Sequence, residues 1–329
     1  MADWPRSVPK FRPCSRNELL QKKIAAASVS TEAKPRSGPR SGTVARVLTA
    51  AILIPAVVAL VWWGPSWLVA AGGAVVALLA LVEFFSLGDH LSLHAYRIWT
   101  GICTLGIFYQ QWAATTAETH AVGRGVELTR ISGVLQLPLE LLLFIFVLGC
   151  AAIVFVSRRP LAETLGDIGI SAAGLLLIAL PLSSVVRIHA VNAIGPKLLL
   201  FTLVLVWAGD TLGYFVGRSL GRIPMAPQLS PKKTWEGAAA NLLGSALAGV
   251  AFYHWLNIDP FSAVLMACLA NASGQAGDLL ESAYKRGAGV KDSGTLLPGH
   301  GGVLDRIDAL ILAAPVVWYY FHFLLASQF

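Results

Sequence analysis

Apolar residues lie along this chain in long, nearly unbroken runs, not in the strict alternation of a half-buried strand. Nine runs are long enough to cross about 30 Å of hydrocarbon at about 1.5 Å per helical residue. They cover residues 44–63, 66–87, 98–117, 134–156, 168–186, 198–217, 237–256, 262–281 and 309–326. The pattern predicts an all-α integral membrane protein, a polytopic bundle of about nine transmembrane helices. Trp62, Trp63 and Trp67 bracket the Gly64-Pro65 turn between the first two runs, where an interfacial aromatic belt is expected. No repeat of 20 to 50 residues is evident, and no connection is long enough to fold as a second domain. Residues 43–329 are therefore read as one polytopic membrane domain.

Composition agrees with that solvent. Of 329 residues, 56% are hydrophobic and 13% charged, and the mean hydropathy is +0.66, too little charge to cover a water-soluble globule. The net charge of +7 is an N-terminal property: residues 1–46 hold ten Lys or Arg against Asp3, Glu18 and Glu32, whereas the remainder is balanced. Residues 1–42 are rich in Pro, Ser, Lys and Arg and lack an apolar period, so they are expected to form a disordered basic arm near anionic lipid. Ile24 to Val29 is too short for the apolar core of a secretory signal. With the arm in the cytoplasm, the alternating connections place 21 Lys or Arg on its side and four (Arg124, Arg130, Arg187 and Lys197) opposite, the bias the positive-inside rule requires. Cys14, Cys103, Cys150 and Cys268 are scattered, which gives neither a zinc spacing nor a disulfide framework.

Three polar constellations interrupt the apolar pattern, and the topology puts all of them on the cytoplasmic face. In the first, Asp210, Gly213, Tyr214 and Gly217 share one helical face, with Arg218 eight residues after the acid. An acid inside a span marks a functional site by default; the structural alternative is an interhelical hydrogen bond or a pair with Arg218. In the second, Ser230-Pro231-Lys232-Lys233-Thr234 leads into the seventh run. Ammonium charge, hydroxyls and the free amides of a helix start make an anion cradle there, one that suits a triphosphate. Without their neighbours, the two lysines would read as ordinary positive-inside residues.

The third constellation is the longest. Asn271, Gly274, Gln275, Asp278, Glu281, Ser282 and Lys285 recur at three- or four-residue intervals, a polar stripe on an apolar helix. Such a stripe can be glue between helices. It continues, however, through Arg286, Lys291, Asp292 and His300 to Asp305, Arg306 and Asp308. Carboxylates from two helix ends beside basic residues are what a magnesium–phosphate site needs, because a hard cation takes oxygen ligands and phosphates need counter-charge. His300 serves equally well as a turn-stabilising hydrogen bond or as a phosphate contact. No Walker-type loop and no His-Glu-x-x-His occurs. A transporter would also carry intramembrane acids, but its site is expected near the midplane.

The run Ser282-x-x-Lys-Arg, then Lys291-Asp-Ser-Gly, then Leu297-Pro-Gly-His-Gly-Gly-x-Leu-Asp-Arg-x-Asp308 resembles the signature of the phosphatidate cytidylyltransferase (CDP-diacylglycerol synthase) family. Ser230-Pro-Lys-Lys-Thr-Trp-Glu-Gly and Asp210-Thr-x-x-Tyr-x-x-Gly-Arg resemble family segments in the same order. The resemblance covers about 44–329, with its signature region at 206–308. It implies transfer of a cytidylyl group from CTP to phosphatidic acid, giving CDP-diacylglycerol and pyrophosphate for phospholipid biosynthesis. It also implies Mg2+ with a second, monovalent cation. Asp278 and Asp305 are then the first metal ligands, supported by Asp210 and Asp308. Lys232, Lys233 and Arg306 hold phosphates, Ser230 and Thr234 orient the nucleotide, and Lys285, Arg286, Lys291 and His300 meet the lipid headgroup or other phosphates. Asp278, Asp305, Lys233 and Arg306 form the catalytic set. A multi-pass protein of the cell inner membrane follows, with arm and site in the cytoplasm, lipid neighbours, no nucleic-acid partner and a homodimer as the candidate assembly. Transfer to an isoprenoid ether lipid, a CTP-dependent polyprenol kinase and a transporter remain the competing readings. A CDP-alcohol phosphotransferase would need an Asp-Gly-x-x-Ala-Arg pattern that the chain lacks.

Overall fold

The computed structural model describes residues 39–123, 137–157, 159–297 and 301–326. His300, Arg158, Arg124, Arg130 and residues 1–38 of the basic arm lie outside them. Arg46–Phe329 forms one compact unit; Met1–Ala45 separates from it, and its described part, 39–45, is helical.

Each of the nine apolar runs coincides with a helix. They are α1 (Pro39–Trp63), α2 (Ser66–Asp89), α3 (Arg97–Gly123), α4 (Leu139–Val156), α5 (Thr164–His189), α6 (Gly195–Leu220), α7 (Trp235–Leu256), α8 (Pro260–Gly287) and α9 (Leu304–Leu325). The two described strands, β1 (Pro224–Ala226) and β2 (Ser230–Thr234), form a short antiparallel hairpin that pairs Pro224 with Thr234 and Ala226 with Ser230. It stands where the sequence pattern shows only a loop.

Five helices, α2, α4, α5, α6 and α9, are long and apolar enough to cross a membrane, and α1 carries a shorter apolar stretch, Thr49–Trp63. The protein is an α-helical membrane protein. Its lipid-facing surface is apolar: Phe155 is 88% exposed and Ile98 83% exposed, values a water-soluble surface would rarely tolerate in such numbers. Helices α3, α7 and α8 are not among those five, and α8 carries Asn271, Gln275, Asp278 and Glu281.

Local chemistry sets the helix ends. Pro65 and Pro138 stand immediately before α2 and α4, where a missing N–H costs nothing. Thr234 caps α7 by accepting from Gly237 N–H at 3.2 Å, and Asp259 caps α8 by accepting from Ser262 N–H at 2.8 Å. Asn257 closes α7 in the left-handed conformation, φ 56°. Helix α9 begins at Leu304 after Val303, whose side chain cannot cap.

Small residues decide which helices approach. Gly209, Gly213 and Gly217 follow one face of α6, and a Cβ at Gly213 would come within 3.0 Å of the Gly237 carbonyl on α7. On α8, a Cβ at Gly274 would come within 3.1 Å of the Ala309 carbonyl on α9. Close backbone approach between small residues is how helices associate where water supplies no drive between them. The polar faces of α6, α7, α8 and α9 are thereby brought together. The apolar core, with Phe85, Phe108, Phe201, Leu198, Met266 and Leu304 fully buried, holds that group against α2, α3 and α5.

Candidate active site

A cavity of about 770 Å³ opens between α6, the hairpin, α7 and α8. Asp210, Tyr214 and Arg218 of α6 line one side; Lys232, Lys233 and Thr234 of the hairpin and Asn241 of α7 line another. Gln275 and Asp278 of α8 complete it. The first two constellations and the start of the third, from Asp210 to Asp278, thus share one chamber.

Lys233 reaches across it to Asp278, Nζ to Oδ2 at 2.6 Å. The hairpin that carries Lys233 is pinned at its base, where Trp235 N–H donates to the Ile223 carbonyl at 3.0 Å and Ile223 N–H donates to Glu236 at 3.2 Å. Backbone N–H groups, its own first and then that of Arg222, hold the Glu236 carboxyl below its usual range. Arg286 ties the same hairpin to the segment after α8 by donating to the carbonyls of Leu229 and Val290, both at 3.1 Å.

Asp210 is held from α7. Asn241 Nδ2 donates to its Oδ1 at 3.0 Å, and Asn271 Nδ2 donates in turn to Asn241 Oδ1. Asn271 also donates to Ser245 Oγ at 2.7 Å, and Gln275 Nε2 donates to Asn271 Oδ1 at 2.7 Å. The stripe on α8 is therefore glue in its inner half, a connected network that sets the angle of Asp210, and open site in its outer half. Arg218 donates to Tyr214 Oη at 2.9 Å and does not pair with Asp210.

Beyond Asp278, one turn along α8 and across to α9, lies a cluster of three carboxylates. One oxygen each from Asp278, Glu281 and Asp308 fall within 4.8 Å of one another. Two unit charges at that separation repel by about 3 kcal/mol at an effective dielectric of about 20. Lys285 bonds both Glu281 and Asp305, the latter at 2.6 Å. Among the described residues, the ion pairs found for Asp210, Asp278, Glu281, Asp305 and Asp308 are those of Lys233 with Asp278 and of Lys285 with Glu281 and Asp305. A π-helical turn of α5, Leu175–Ala179, brings Leu177 and Ile178 beside Glu281 and Asp308 and closes this end with apolar side chains.

The residues marked by the sequence separate into two groups. Asp210, Lys232, Lys233, Thr234 and Asp278 line the cavity, and Asp308 joins Asp278 in the carboxylate cluster. Asp305 has other partners: besides Lys285, it accepts from Gly302 N–H at 2.9 Å and Ser293 N–H at 3.1 Å. The third acid of the cluster is Glu281, part of the polar stripe but given no ligand role by the sequence. Ser230 sits at the start of β2, outside the cavity lining; Lys291 and Arg306 are exposed. Arg286 uses its guanidinium on backbone carbonyls.

Two further residues escaped the sequence reading. Asn241 of α7 is not among the sequence's candidates, yet it donates to Asp210. Glu83, in the middle of Leu81-Val-Glu-Phe-Phe on α2, is only 5% exposed and accepts from Ser293 Oγ at 3.0 Å and from the N–H groups of Val303 and Leu304, both at 2.9 Å. A lone acid in so apolar a run is itself a signal, but nothing in the sequence tells which segment it meets.

Comparison with known proteins places these features in a family. Residues 44–324 match the model of the cytidylyltransferase family. A phosphatidate cytidylyltransferase of Haemophilus influenzae is 36% identical over 296 residues, 85% of this chain and 99% of that protein. A phosphatidate cytidylyltransferase of Bacillus subtilis is 34% identical over 158 residues, 47% of this chain and 59% of that protein. An uncharacterized Escherichia coli protein, YnbB, is 43% identical over 130 residues, 39% of this chain and 44% of its own length.

Proposed function

The chain belongs to the cytidylyltransferase family, and on that premise we propose that it transfers the cytidylyl group of CTP to phosphatidic acid, releasing pyrophosphate and forming CDP-diacylglycerol. It is an enzyme of the nucleotidyltransferase class. The observation that carries the substrate assignment is one cavity, about 770 Å³, lined by Asp210, Lys232, Lys233 and Asp278, the last of which also belongs to a three-carboxylate cluster. Such a chamber has the volume and the paired charges that a nucleoside triphosphate and a phosphate headgroup require together.

In the proposed reaction a phosphatidate phosphate oxygen attacks the α-phosphorus of CTP in line. The new P–O bond forms as the bond from the α-phosphorus to the bridging oxygen breaks, and pyrophosphate leaves with that electron pair. Phosphatidate is already anionic near neutral pH, so the chain needs no strong base. The obstacle is repulsion between two polyanions, which positioned charge and fixed geometry overcome. Lys233 and Lys232 hold the triphosphate from the hairpin. The ion pair between Lys233 and Asp278 keeps the ammonium over the cavity before nucleotide arrives. Thr234 Oγ1 is engaged as the cap of α7, which fixes its hydroxyl at the cavity wall.

Hard oxygen donors with a shared reach of 4.8 Å suit a divalent cation. Asp278, Glu281 and Asp308 would hold Mg2+, with Asp210 across the cavity as support; when bound, the ion supplies charge neutralisation at the transferred phosphoryl group. Asp305, engaged by Lys285 and two backbone amides, is better suited to building the wall than to ligation. The distribution of Lys and Arg supports an inner-membrane protein with arm and site in the cytoplasm.

The direct test is incubation of the detergent-solubilised protein with magnesium, CTP and phosphatidic acid. Formation of a CDP-lipid and pyrophosphate is expected; a folded protein that forms neither contradicts the proposal.

A further inference from the structure

Helix α2 lies outside the region that carries the signature motifs, yet it sends one carboxylate into them. Glu83 Oε1 accepts from Val303 N–H, and Oε2 accepts from Leu304 N–H and Ser293 Oγ, all between 2.9 and 3.0 Å. Val303 is the N-cap residue of α9 and Leu304 its first residue, and the N-cap side chain makes no capping hydrogen bond. The free amides and positive dipole end of α9 are thus satisfied by an acid from another helix.

Two glycines of the signature exist in this structure to admit that acid. The three atoms nearest a Cβ at Gly294 all belong to Glu83, with Oε1 at 2.6 Å and Cδ at 2.8 Å. A Cβ at Gly302 would collide with both Glu83 and Ser293 Oγ. Backbone φ at neither glycine is positive, so space, not conformation, demands them.

From Glu83 the contacts lead to the carboxylate cluster by two routes. Through the backbone, anchoring Leu304 sets where Asp308 emerges one turn later. Through side chains, Ser293 donates by its hydroxyl to Glu83 and by its N–H to Asp305, Asp305 bonds Lys285, and Lys285 bonds Glu281. We infer that Glu83 is a positioning residue, which clamps the start of α9 and the Ser293–Gly294 segment so that Asp308 and Glu281 stand together as a cation site. The inference rests on the reading of Asp278, Glu281 and Asp308 as that site.

Three donors converge on Glu83, and only a carboxylate accepts all of them. A glutamine at this position would turn an NH2 group toward an N–H, and an aspartate would fall one methylene short. Partners outside the ligand shell typically contribute about 10- to 100-fold in metal affinity, and that is the loss expected for Glu83→Gln, with Glu83→Asp intermediate.

The test is a Mn2+ titration of the full-length protein in detergent, read by the electron paramagnetic resonance signal of free Mn2+, without substrates. Wild type, Glu83→Gln, Glu83→Asp, Gly294→Ala, Glu83→Ala and the Glu83→Ala/Gly294→Ala double variant are compared. Gly294→Ala is expected to weaken Mn2+ binding as Glu83→Gln does, whereas in the Glu83→Ala background it adds little, because the methyl then enters vacated space. Mn2+ affinity unchanged in Glu83→Gln, or a full additional loss from Gly294→Ala in the Glu83→Ala background, overturns the clamp. If the Glu83 variants fail to fold, Gly294→Ala alone decides, and wild-type affinity in that variant overturns the inference. A wild-type protein that binds no Mn2+ removes the cation site itself, an outcome separable from failure of the clamp alone.

Discussion

Lys233 with Asp278 and Lys285 with Asp305 are the same pair chemically, each an ammonium 2.6 Å from a carboxylate oxygen. Their surroundings differ. The first spans a cavity, with side chains 28% and 36% exposed; the second is enclosed, at 13% and 9%, and is stitched to Glu281, Gly302 and Ser293. An open pair can be parted by an incoming phosphate, which replaces the carboxylate as the lysine's partner. An enclosed pair has no such replacement, and its disruption leaves buried charge unmatched. On the proposed function one pair is machinery and the other wall, although the sequence makes Asp278 and Asp305 equal first choices as metal ligands.

Substitutions at each pair sharpen this contrast. Asp278→Asn has the largest expected effect, a turnover loss of at least about 10²–10³-fold with thermal unfolding near wild type, measured as CDP-lipid formed per minute in detergent. Equal losses of turnover and stability would make Asp278 a wall residue too. Lys285→Met leaves both Glu281 and Asp305 without their cation and is expected to lower stability by about 3 kcal/mol, read by chemical or thermal unfolding in detergent. A stable Lys285→Met protein with impaired lipid use would instead return Lys285 to the headgroup role suggested by its place in the motif.

Lys233→Met is expected to reduce kcat/KM for CTP by about 10- to 100-fold while the fold persists, since one charge-assisted contact is lost. Steady-state kinetics with CTP varied checks it. Arg286→Ala removes the bond from Leu229 to the segment after α8; a loss of about 1 kcal/mol in stability is expected, with a modest rise in KM for CTP as the hairpin loosens. The smallest effect is expected at Lys291, exposed and not part of the cavity lining, where Lys291→Ala should change stability by less than about 0.5 kcal/mol.

The sequence makes the architecture legible because the solvent does. Long apolar runs separated by charged turns have one economical solution in a bilayer, and all nine coincide with helices. The boundaries were harder. The apolar runs end at 281 and resume at 309, yet α8 continues to Gly287 and α9 begins at Leu304, so that Lys285 and Asp305 pair across the two helices. The hairpin went unseen because Ser-Pro-Lys-Lys-Thr carries no apolar alternation; pairing with Pro224–Ala226 makes it a strand.

Within the site, spacing on a single helix identified the stripe from Asn271 to Lys285, and the signature motif brought Asp305 and Asp308 into view. What spacing could not distinguish is which acid faces a ligand and which faces a lysine. Asp305 and Asp308 are three residues apart on α9, but the first points to Lys285 and the amides of Ser293 and Gly302, and the second to Asp278 and Glu281. That choice depends on how α8 and α9 cross at Gly274 and Gly277, a tertiary fact. Glu83 was beyond reach for the same reason: its partners are more than two hundred residues away.

Cytidylyl transfer at the open pair can be read from the position of a phosphorus label in the lipid product. Wild-type and Asp278→Asn protein in detergent are given magnesium, phosphatidic acid and CTP labelled at either the α- or the γ-phosphate. The account predicts that the α label enters the lipid and the γ label leaves in pyrophosphate with the wild type, and that neither moves with Asp278→Asn. Appearance of the γ label in the lipid, which a kinase would produce, or undiminished α transfer by Asp278→Asn, would contradict it.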